Sequence, residues 1–104
     1  MKPVCFCGNS LAIVRGFPAS VRQDIGFQLD IVQRGRPPDN WKPFRTIGKG
    51  VKEIRVSASG QHRVIIVDSR TEAIYELHAF EKKSRKTRKA DIELARKRLK
   101  KLDE

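Results

Sequence analysis

Apolar and polar side chains alternate through the middle of the chain, where residues 51–67 read VKEIRVSASGQHRVIIV. A period of two is typical of a strand with one buried face, so we expect Ile54 and Val56 to lie on the same side. The Ala-Ser-Gly between the two apolar runs fits a three-residue hairpin loop, with Gly60 at the position that needs a positive φ. The pattern therefore predicts a hairpin whose second strand covers residues 64–67.

This hairpin register sets two arginines directly against each other, Arg55 on the first strand and Arg63 on the second. Like charges opposed across a strand pair are destabilising. Because folding alone gives no reason for such a pair, we expect it to serve an anionic ligand, and two guanidinium groups at that separation suit a phosphodiester. The alternative is that each arginine is held in an ion pair, Arg55 with Glu53 or Arg63 with Glu76.

Apolar residues recur at steps of three and four in two other segments, which is typical of helices with one buried stripe. The first stripe consists of Val21, Ile25, Leu29 and Val32. This helix is expected to begin near Pro18 and to end at Gly35, because the Pro-Pro that follows cannot continue it. The second stripe consists of Ile92, Ala95, Leu99 and Leu102. It predicts a C-terminal helix over residues 91–102.

Shorter elements complete the predicted order. Residues 2–7 form a strand, and Asn9 or Ser10 can cap a short helix that ends at Arg15. Residues 36–50 are an extended connection, and its large apolar side chains are expected to cover the core: Trp41, Phe44 and Ile47. The order is then β-α-α-β-β-β-α. This is an α+β fold in a single domain of residues 1–104, with two N-terminal helices, a mainly antiparallel small sheet and a basic C-terminal helix.

The third strand of the meander is predicted over residues 73–80. Simple alternation gives it one face made of Tyr75, Leu77 and Ala79, and another made of Ile74, Glu76, His78 and Phe80. The first face is the more apolar, so we assign it to the core. Glu76 and His78 are then expected to share the polar face of Arg55 and Arg63.

The net charge of the chain indicates that this small fold has an anionic partner. The chain has 23 Lys and Arg against 12 Asp and Glu, a formal net charge of +11. Residues 82–104 hold 11 of the basic side chains and only 4 of the acidic ones. Such an excess favours nucleic acid first, an acidic protein second and a membrane surface last. No apolar run is long enough to span a bilayer and no secretory signal is evident, so we expect a cytoplasmic protein without a membrane partner.

The cysteine content gives no indication of a metal centre. Cys5 and Cys7 are the only cysteines, and a zinc site would need two further ligands where the chain offers only His62 and His78. We therefore expect two buried, reduced thiols and no metal or other cofactor.

Several short strings occur in order along nearly the whole chain. They are FP (17–18), QRG (33–35), WKP (41–43), IGKGV (47–51), EIR (53–55), RV (63–64), LHAF (77–80), KK (82–83), KT (86–87) and ARKR (95–98). Together they resemble the RelE/ParE toxin superfamily, in particular its HigB-like, phage-derived branch.

The resemblance implies a toxin of a type II toxin–antitoxin pair, a small endoribonuclease that enters the ribosomal A site and cuts translated mRNA. It also implies a partner, an antitoxin that is often a helix-turn-helix protein. Some ParE-type members inhibit gyrase instead. A non-nucleolytic toxin of that kind, or a phage-derived nucleic-acid-binding module, is therefore the alternative. Codon preference and oligomeric state are not indicated.

Metal-independent RNA cleavage uses the ribose 2′-OH as nucleophile and leaves a 2′,3′-cyclic phosphate. It requires in-line alignment, stabilisation of the phosphate charge and handling of two protons. Arg55 and Arg63 are our candidates for the charge clamp. His78 could be a general acid or base, or a structural histidine packed beside Phe80. Some ribosome-dependent relatives carry an acidic residue where this chain has Gln61, which leaves the general base unassigned.

The basic residues after the third strand are candidates for contact with RNA. Lys82 and Lys83 could bind flanking phosphates or stabilise the leaving oxygen, and Phe80 could stack on a base or belong to the core. Further along the chain, the side chains expected to attract the RNA backbone without reading sequence are Arg85, Lys86, Arg88, Lys89, Lys97 and Lys101. A solvated basic surface is the alternative for this whole run.

Overall fold

Five strands and three helices make up the computed structural model, which describes all residues 1–104. In chain order they are β1 (Val4–Phe6), α1 (Ser10–Arg15), α2 (Ala19–Gln33), β2 (Trp41–Pro43), β3 (Val51–Val56), β4 (His62–Val67), β5 (Ile74–Glu81) and α3 (Lys89–Leu102). The strands form one sheet in the order β1-β5-β4-β3-β2. Only β1 and β5 are parallel, so the α+β class and the mainly antiparallel sheet are confirmed.

The central hairpin has the predicted register. Arg55 is paired with Arg63 and Ile54 with Val64 across β3 and β4. Gly60 has a φ of +80° in the connecting loop, a conformation that a side chain would disfavour. The alternation of apolar residues and this one glycine are sufficient to define the hairpin.

Helices cover both faces of the sheet. On one face α1 and α2 pack against apolar residues of β3, β4 and β5, and the predicted α2 stripe of Val21, Ile25, Leu29 and Val32 is entirely buried there. On the other face α3 packs through Ala95 and its partly buried neighbours against Ile65 and Leu77. None of the three helices is both long enough and apolar enough to cross a membrane.

A β-bulge in β5 changes the two faces of that strand. Ile65 pairs with His78 while Ile66 pairs with Glu76, which leaves Leu77 as an extra residue. Two predictions from simple alternation are therefore wrong. Ala79 lies on the α2 side, away from Leu77, and Glu76 does not share the face of the two arginines.

Two local expectations near the ends of the sheet also need correction. Residues 41–43 within the predicted connection form an edge strand, β2, paired with β3. Cys5 is exposed and Cys7 only half-buried, although both thiols are free. Cys5 is exposed because β1 is the opposite edge strand and packs only its other side, through Val4 and Phe6, onto the core.

Candidate nucleic-acid interface

The face of the sheet beneath α3 has an apolar end and a charged end. Because side chains opposite each other across a ladder share a face, Arg55, Arg63 and Phe80 form one row across β3, β4 and β5. The next row towards α3 consists of Glu53, Ile65 and His78. We call Arg55, Arg63 and Glu53 the arginine cluster.

Glu53 connects the two arginines of this cluster. Its Oε1 accepts a hydrogen bond from Nε of Arg55 at 3.2 Å and lies 4.0 Å from Nε of Arg63. One carboxylate thus offsets part of the repulsion between two opposed cations, and the cluster keeps an excess of one positive charge. The predicted ion pair of Arg55 with Glu53 is present. The alternative of Arg63 with Glu76 is wrong, because these two residues lie on opposite faces.

The two arginines differ in their access to solvent. The side chain of Arg55 is 28% exposed and that of Arg63 only 8%. Burial lowers the pKa of Arg63, and the nearby Arg55 lowers it further, while Glu53 opposes both. Arg63 also donates to the backbone carbonyl of His62 at 3.0 Å. Arg55 is therefore the arginine that a ligand can contact, and Arg63 is the buried cation beside it.

Arg55 opens into a surface groove of about 410 Å³. The residues that line this groove are Lys42, Pro43, Phe44, Glu53, Arg55, Lys82, Arg85, Lys86, Thr87 and Ile92. Five of them are cations, and Glu53 is the single acid. This composition suits a polyanion that contacts several cations at once.

The segment after β5 forms one wall of the groove. Its start is fixed by the backbone N–H of Lys82, which donates to the carbonyl of Gln61 at 2.7 Å. A smaller cavity beside this wall shares Lys82, Lys86 and Thr87 with the groove, and its other lining residues include Phe80, Lys83 and Arg88. Of the predicted residues in this segment, Lys82, Arg85 and Lys86 line the groove with Arg55, whereas Lys83 and Arg88 line only the smaller cavity. Phe80 itself is buried in the core cluster under α3, so its ring is not an open stacking surface.

His78 lies beneath this wall and is only 4% exposed. Its Nε2 donates to Oδ1 of Asp91 at 2.8 Å, and its ring stacks on Phe80 with centroids 5.5 Å apart. Asp91 also accepts a hydrogen bond from Nε of Arg88 at 3.2 Å. This geometry favours the structural alternative for His78, in which the imidazole links β5 to the start of α3 and, through Arg88, to the wall of the groove.

The basic residues of α3 do not continue the groove. Lys97 and Lys101 line a different cavity beside Cys7 and Gly8, at the β1 side of the sheet. Lys89 is exposed and its Nζ lies 3.8 Å from Glu93. The single basic track expected from residues 82–101 is therefore divided into two separate patches.

Other residues of the groove were not expected from the sequence. Lys42 lies opposite Glu53 because β2 pairs with β3, and Thr87 belongs to the wall. Residues 41–43 contain a proline and are too few to show alternation, so no local signal marked them as a strand beside the arginine cluster. Across the whole chain, no group of three or more His, Cys, Asp or Glu side chains is arranged to hold a metal ion.

Comparison with known proteins gives one result. The family model described as Phage derived protein Gp49-like (DUF891) matches residues 12–100. This match includes the arginine cluster, every residue that lines the groove and most of α3. No curated protein and no solved structure is similar enough to the chain to match it.

Proposed function

Because the chain belongs to the family of phage-derived Gp49-like proteins, which is RelE/toxin-like, we propose that it is the toxin of a type II toxin–antitoxin pair and cuts translated mRNA on the ribosome. We assign it to the HigB-like branch and expect a helix-turn-helix antitoxin as its partner. The observation that carries the proposal is the cationic groove with Arg55 at its base and a second, buried arginine behind it. The reaction is attack of a ribose 2′-OH on the adjacent phosphate, which forms the 2′,3′-cyclic phosphate and releases a 5′-OH.

Arg55 holds the reacting phosphate in this mechanism. As the 2′-oxygen approaches, negative charge grows on the non-bridging oxygens, and a fixed guanidinium stabilises that charge more than it stabilises the ground state. Glu53 fixes the orientation of Arg55 through its 3.2 Å hydrogen bond. Arg63 adds positive potential from a position that solvent screens little, because its side chain is 8% exposed.

The lysines of the wall act on the leaving side of the phosphate. Lys82 lines both the groove and the smaller cavity beside it, and is placed to stabilise or protonate the departing 5′-oxygen. Lys83 is more exposed and its Nζ lies 3.9 Å from Glu81, which fits contact with a flanking phosphate. His78 is a positioning residue in this scheme, since its Nε2 is bound to Asp91 rather than open to the groove.

The residues that line the groove support the proposed dependence on the ribosome. The single carboxylate of the groove, Glu53, is engaged by arginine, and no histidine lines the groove. The groove thus offers several cations for charge stabilisation but no uncommitted carboxylate or imidazole to remove the 2′ proton. Alignment of the 2′-OH by the ribosome would supply the remaining acceleration, because correct positioning alone can contribute many orders of magnitude.

The direct test compares naked mRNA with the same mRNA on purified ribosomes. We expect rapid cleavage only on the ribosome, with products that end in a 2′,3′-cyclic phosphate. Arg55→Ala should reduce the rate by about 10²–10³, the usual effect of removing one such donor. Arg22→Ala, which changes an exposed arginine of α2, is the matched control and should leave the rate unchanged. Equal cleavage of naked RNA would refute the ribosome dependence. Intact mRNA together with inhibited gyrase would favour the non-nucleolytic alternative.

A further inference from the structure

Trp41 has surroundings unlike those of a core residue. It is the only tryptophan of the chain, lies in the edge strand β2 and is half-buried. It belongs to neither of the two apolar clusters. The Nζ of Lys52 lies 4.5 Å from the centre of its ring, and the indole lines a cavity of about 450 Å³. The expectation that Trp41 covers the core is therefore wrong, whereas Ile47 is buried as expected.

The cavity beside Trp41 combines this aromatic ring with uncommitted cations. Its charged lining residues are Arg45, Lys49 and Lys52, and no acidic residue lines it. Lys52 is paired with Asp68 at 2.8 Å. Arg45 and Lys49 are exposed and form no ion pair or side-chain hydrogen bond. Two free cations next to a ring suit a ligand with an anionic group and a flat apolar group.

The loop that carries these two cations is held in place. Ile47 is buried at its centre, and the N–H of Phe44 donates to the carbonyl of Val51 at 2.9 Å across its base. Gly48 lies so close to the Leu99 side chain that a Cβ at this position would overlap it. A guanidinium N–H of Arg96 donates to the carbonyl of Thr46. The cations are thus presented by an ordered loop, which lowers the entropy cost of binding.

We propose that this cavity is a second nucleotide subsite, in which Trp41 stacks on a base of single-stranded RNA and Arg45 and Lys49 contact its phosphates. Stacking on an aromatic ring beside a basic track is how proteins hold single strands without reading their sequence. Pro43 lines both this cavity and the groove at Arg55. Trp41 pairs with Ile54 and so lies on the α2 side of the sheet, whereas Arg55 lies on the α3 side. Because β2 is the edge strand, a strand bound at Arg55 would pass around this edge to reach Trp41. The proposal rests on the proposed RNA substrate and adds where a neighbouring nucleotide binds.

The single tryptophan makes the test direct, because all indole fluorescence comes from this site. Wild-type protein is titrated at low salt with a 12-residue oligouridylate and with an abasic oligonucleotide of equal length and charge. We expect the base-containing strand to quench the fluorescence and the abasic strand to leave it nearly unchanged. The Arg55→Ala variant should still be quenched, because its indole and loop cations are intact. Quenching is therefore independent of cleavage.

Variants then measure how much each group contributes to binding of a labelled oligouridylate. Trp41→Leu should weaken binding by roughly 5- to 150-fold, the range for loss of one stacked base, and Trp41→Phe by less. Arg45→Gln with Lys49→Gln should lower the log–log salt slope by about 0.7 for each phosphate that the variant no longer binds. The matched controls are Phe27→Leu, an exposed aromatic on α2, and Arg15→Gln with Arg22→Gln. Both should bind like wild type.

Three results would overturn the subsite. They are equal quenching by the abasic strand, unchanged affinity of folded Trp41→Leu, and quenching by an acidic peptide but not by RNA. The last result would reassign the cavity to a protein partner. If Trp41→Leu retained full mRNA cleavage and RNA caused no quenching, the subsite would be wrong while the proposed nuclease remained. If mRNA stayed intact on induction while RNA still quenched the tryptophan fluorescence, the subsite would be supported and the proposed nuclease activity would be wrong.

Discussion

Two buried glutamates lie on opposite faces of the sheet, and only one of them has charged partners for its carboxylate. Glu53, under α3, is 5% exposed and lies between Arg55 and Arg63. Glu76, against α1, has no exposed surface, and neither of its carboxylate oxygens has a hydrogen-bond partner. The nearby Ser10 hydroxyl donates instead to the backbone carbonyl of Glu76 at 3.2 Å.

This contrast shows which charged side chains are available to bind a ligand. Burial raises the pKa of Glu76 to about 7, so this side chain is largely neutral below that pH. A neutral acid inside an apolar face adds no field at the surface. Around Glu53 two arginines flank the carboxylate, and the more exposed of them lies at the open groove. The arginine cluster on the α3 face is therefore arranged for binding, whereas the charge of Glu76 on the α1 face is suppressed below about pH 7.

The strongest predicted change separates the two arginines. Arg63→Ala should lower mRNA cleavage by about 10²–10³ and also lower the free energy of unfolding by about 1–3 kcal/mol, because it removes a side chain that is only 8% exposed together with its hydrogen bond to the carbonyl of His62. Arg55→Ala should cause a similar loss of cleavage while the free energy of unfolding changes by less than about 1 kcal/mol, because that side chain is partly solvated. Cleavage assays and urea denaturation of both variants check this. Equal stability losses would show that exposure does not divide their roles.

The second prediction concerns pH and the α1 face. The folded-state pKa of Glu76 is about 7, above the ordinary value of 4.5, so the folded protein favours the protonated form. Stability from this group is complete below pH 4.5, falls by roughly 3 kcal/mol as pH rises to 7, and is then constant.

Replacement of Glu76 removes this titration. The difference in free energy of unfolding between wild type and Glu76→Gln should change across pH 4.5–7, while Glu93→Gln, on the surface of α3, should follow wild type. Urea denaturation at several pH values is the measurement. A wild-type curve parallel to that of Glu76→Gln would show that Glu76 has an unshifted pKa.

The third prediction concerns Glu53, whose carboxylate lies between the two arginines. Glu53→Gln should lower the free energy of unfolding by about 1–3 kcal/mol near neutral pH, because it leaves two opposed guanidinium groups with no carboxylate between them. Added phosphate should restore part of this stability in the variant, since an anion can take the place of the missing charge. Thermal denaturation with and without phosphate gives the answer. A variant as stable as wild type would mean that Glu53 does not hold the cluster together.

The weakest predicted change distinguishes the two basic patches. Arg85→Gln with Lys86→Gln changes the groove, while Lys97→Gln with Lys101→Gln changes the cavity at the β1 side. The first pair should lower the salt slope of RNA binding by about 0.7 for each phosphate released from the groove, and the second pair by less. Binding at several salt concentrations measures both slopes. Equal slopes would mean that the two patches bind one continuous RNA track after all.

The hairpin and the helices could be predicted because each depends on local pattern. Alternation and Gly60 define the register of Arg55 and Arg63, and the α2 stripe requires only a regular helix. The bulge at Leu77 could not be predicted, since residues 74–80 alternate without any glycine or proline to mark an irregularity. That one inserted residue moved Glu76 away from the arginines.

The set of residues that line the groove was harder to predict than the pairing of Arg55 with Arg63. The groove is formed where β2, the segment after β5 and the start of α3 meet, and this meeting is tertiary. The burial of His78 likewise depends on Asp91, 13 residues away on α3. Sequence therefore indicated which residue types were available, while packing decided which of them face the groove.

Arg55 is the arginine that lines the groove, and in the proposed cleavage of translated mRNA it holds the reacting phosphate. The decisive experiment maps mRNA 5′ ends shortly after induction of wild type, Arg55→Ala and Arg22→Ala at equal protein levels. New 5′ ends inside translated frames with wild type and Arg22→Ala, and their absence with folded Arg55→Ala, is the expected result. Unchanged mRNA ends with wild type, or the same new ends with Arg55→Ala, would contradict it.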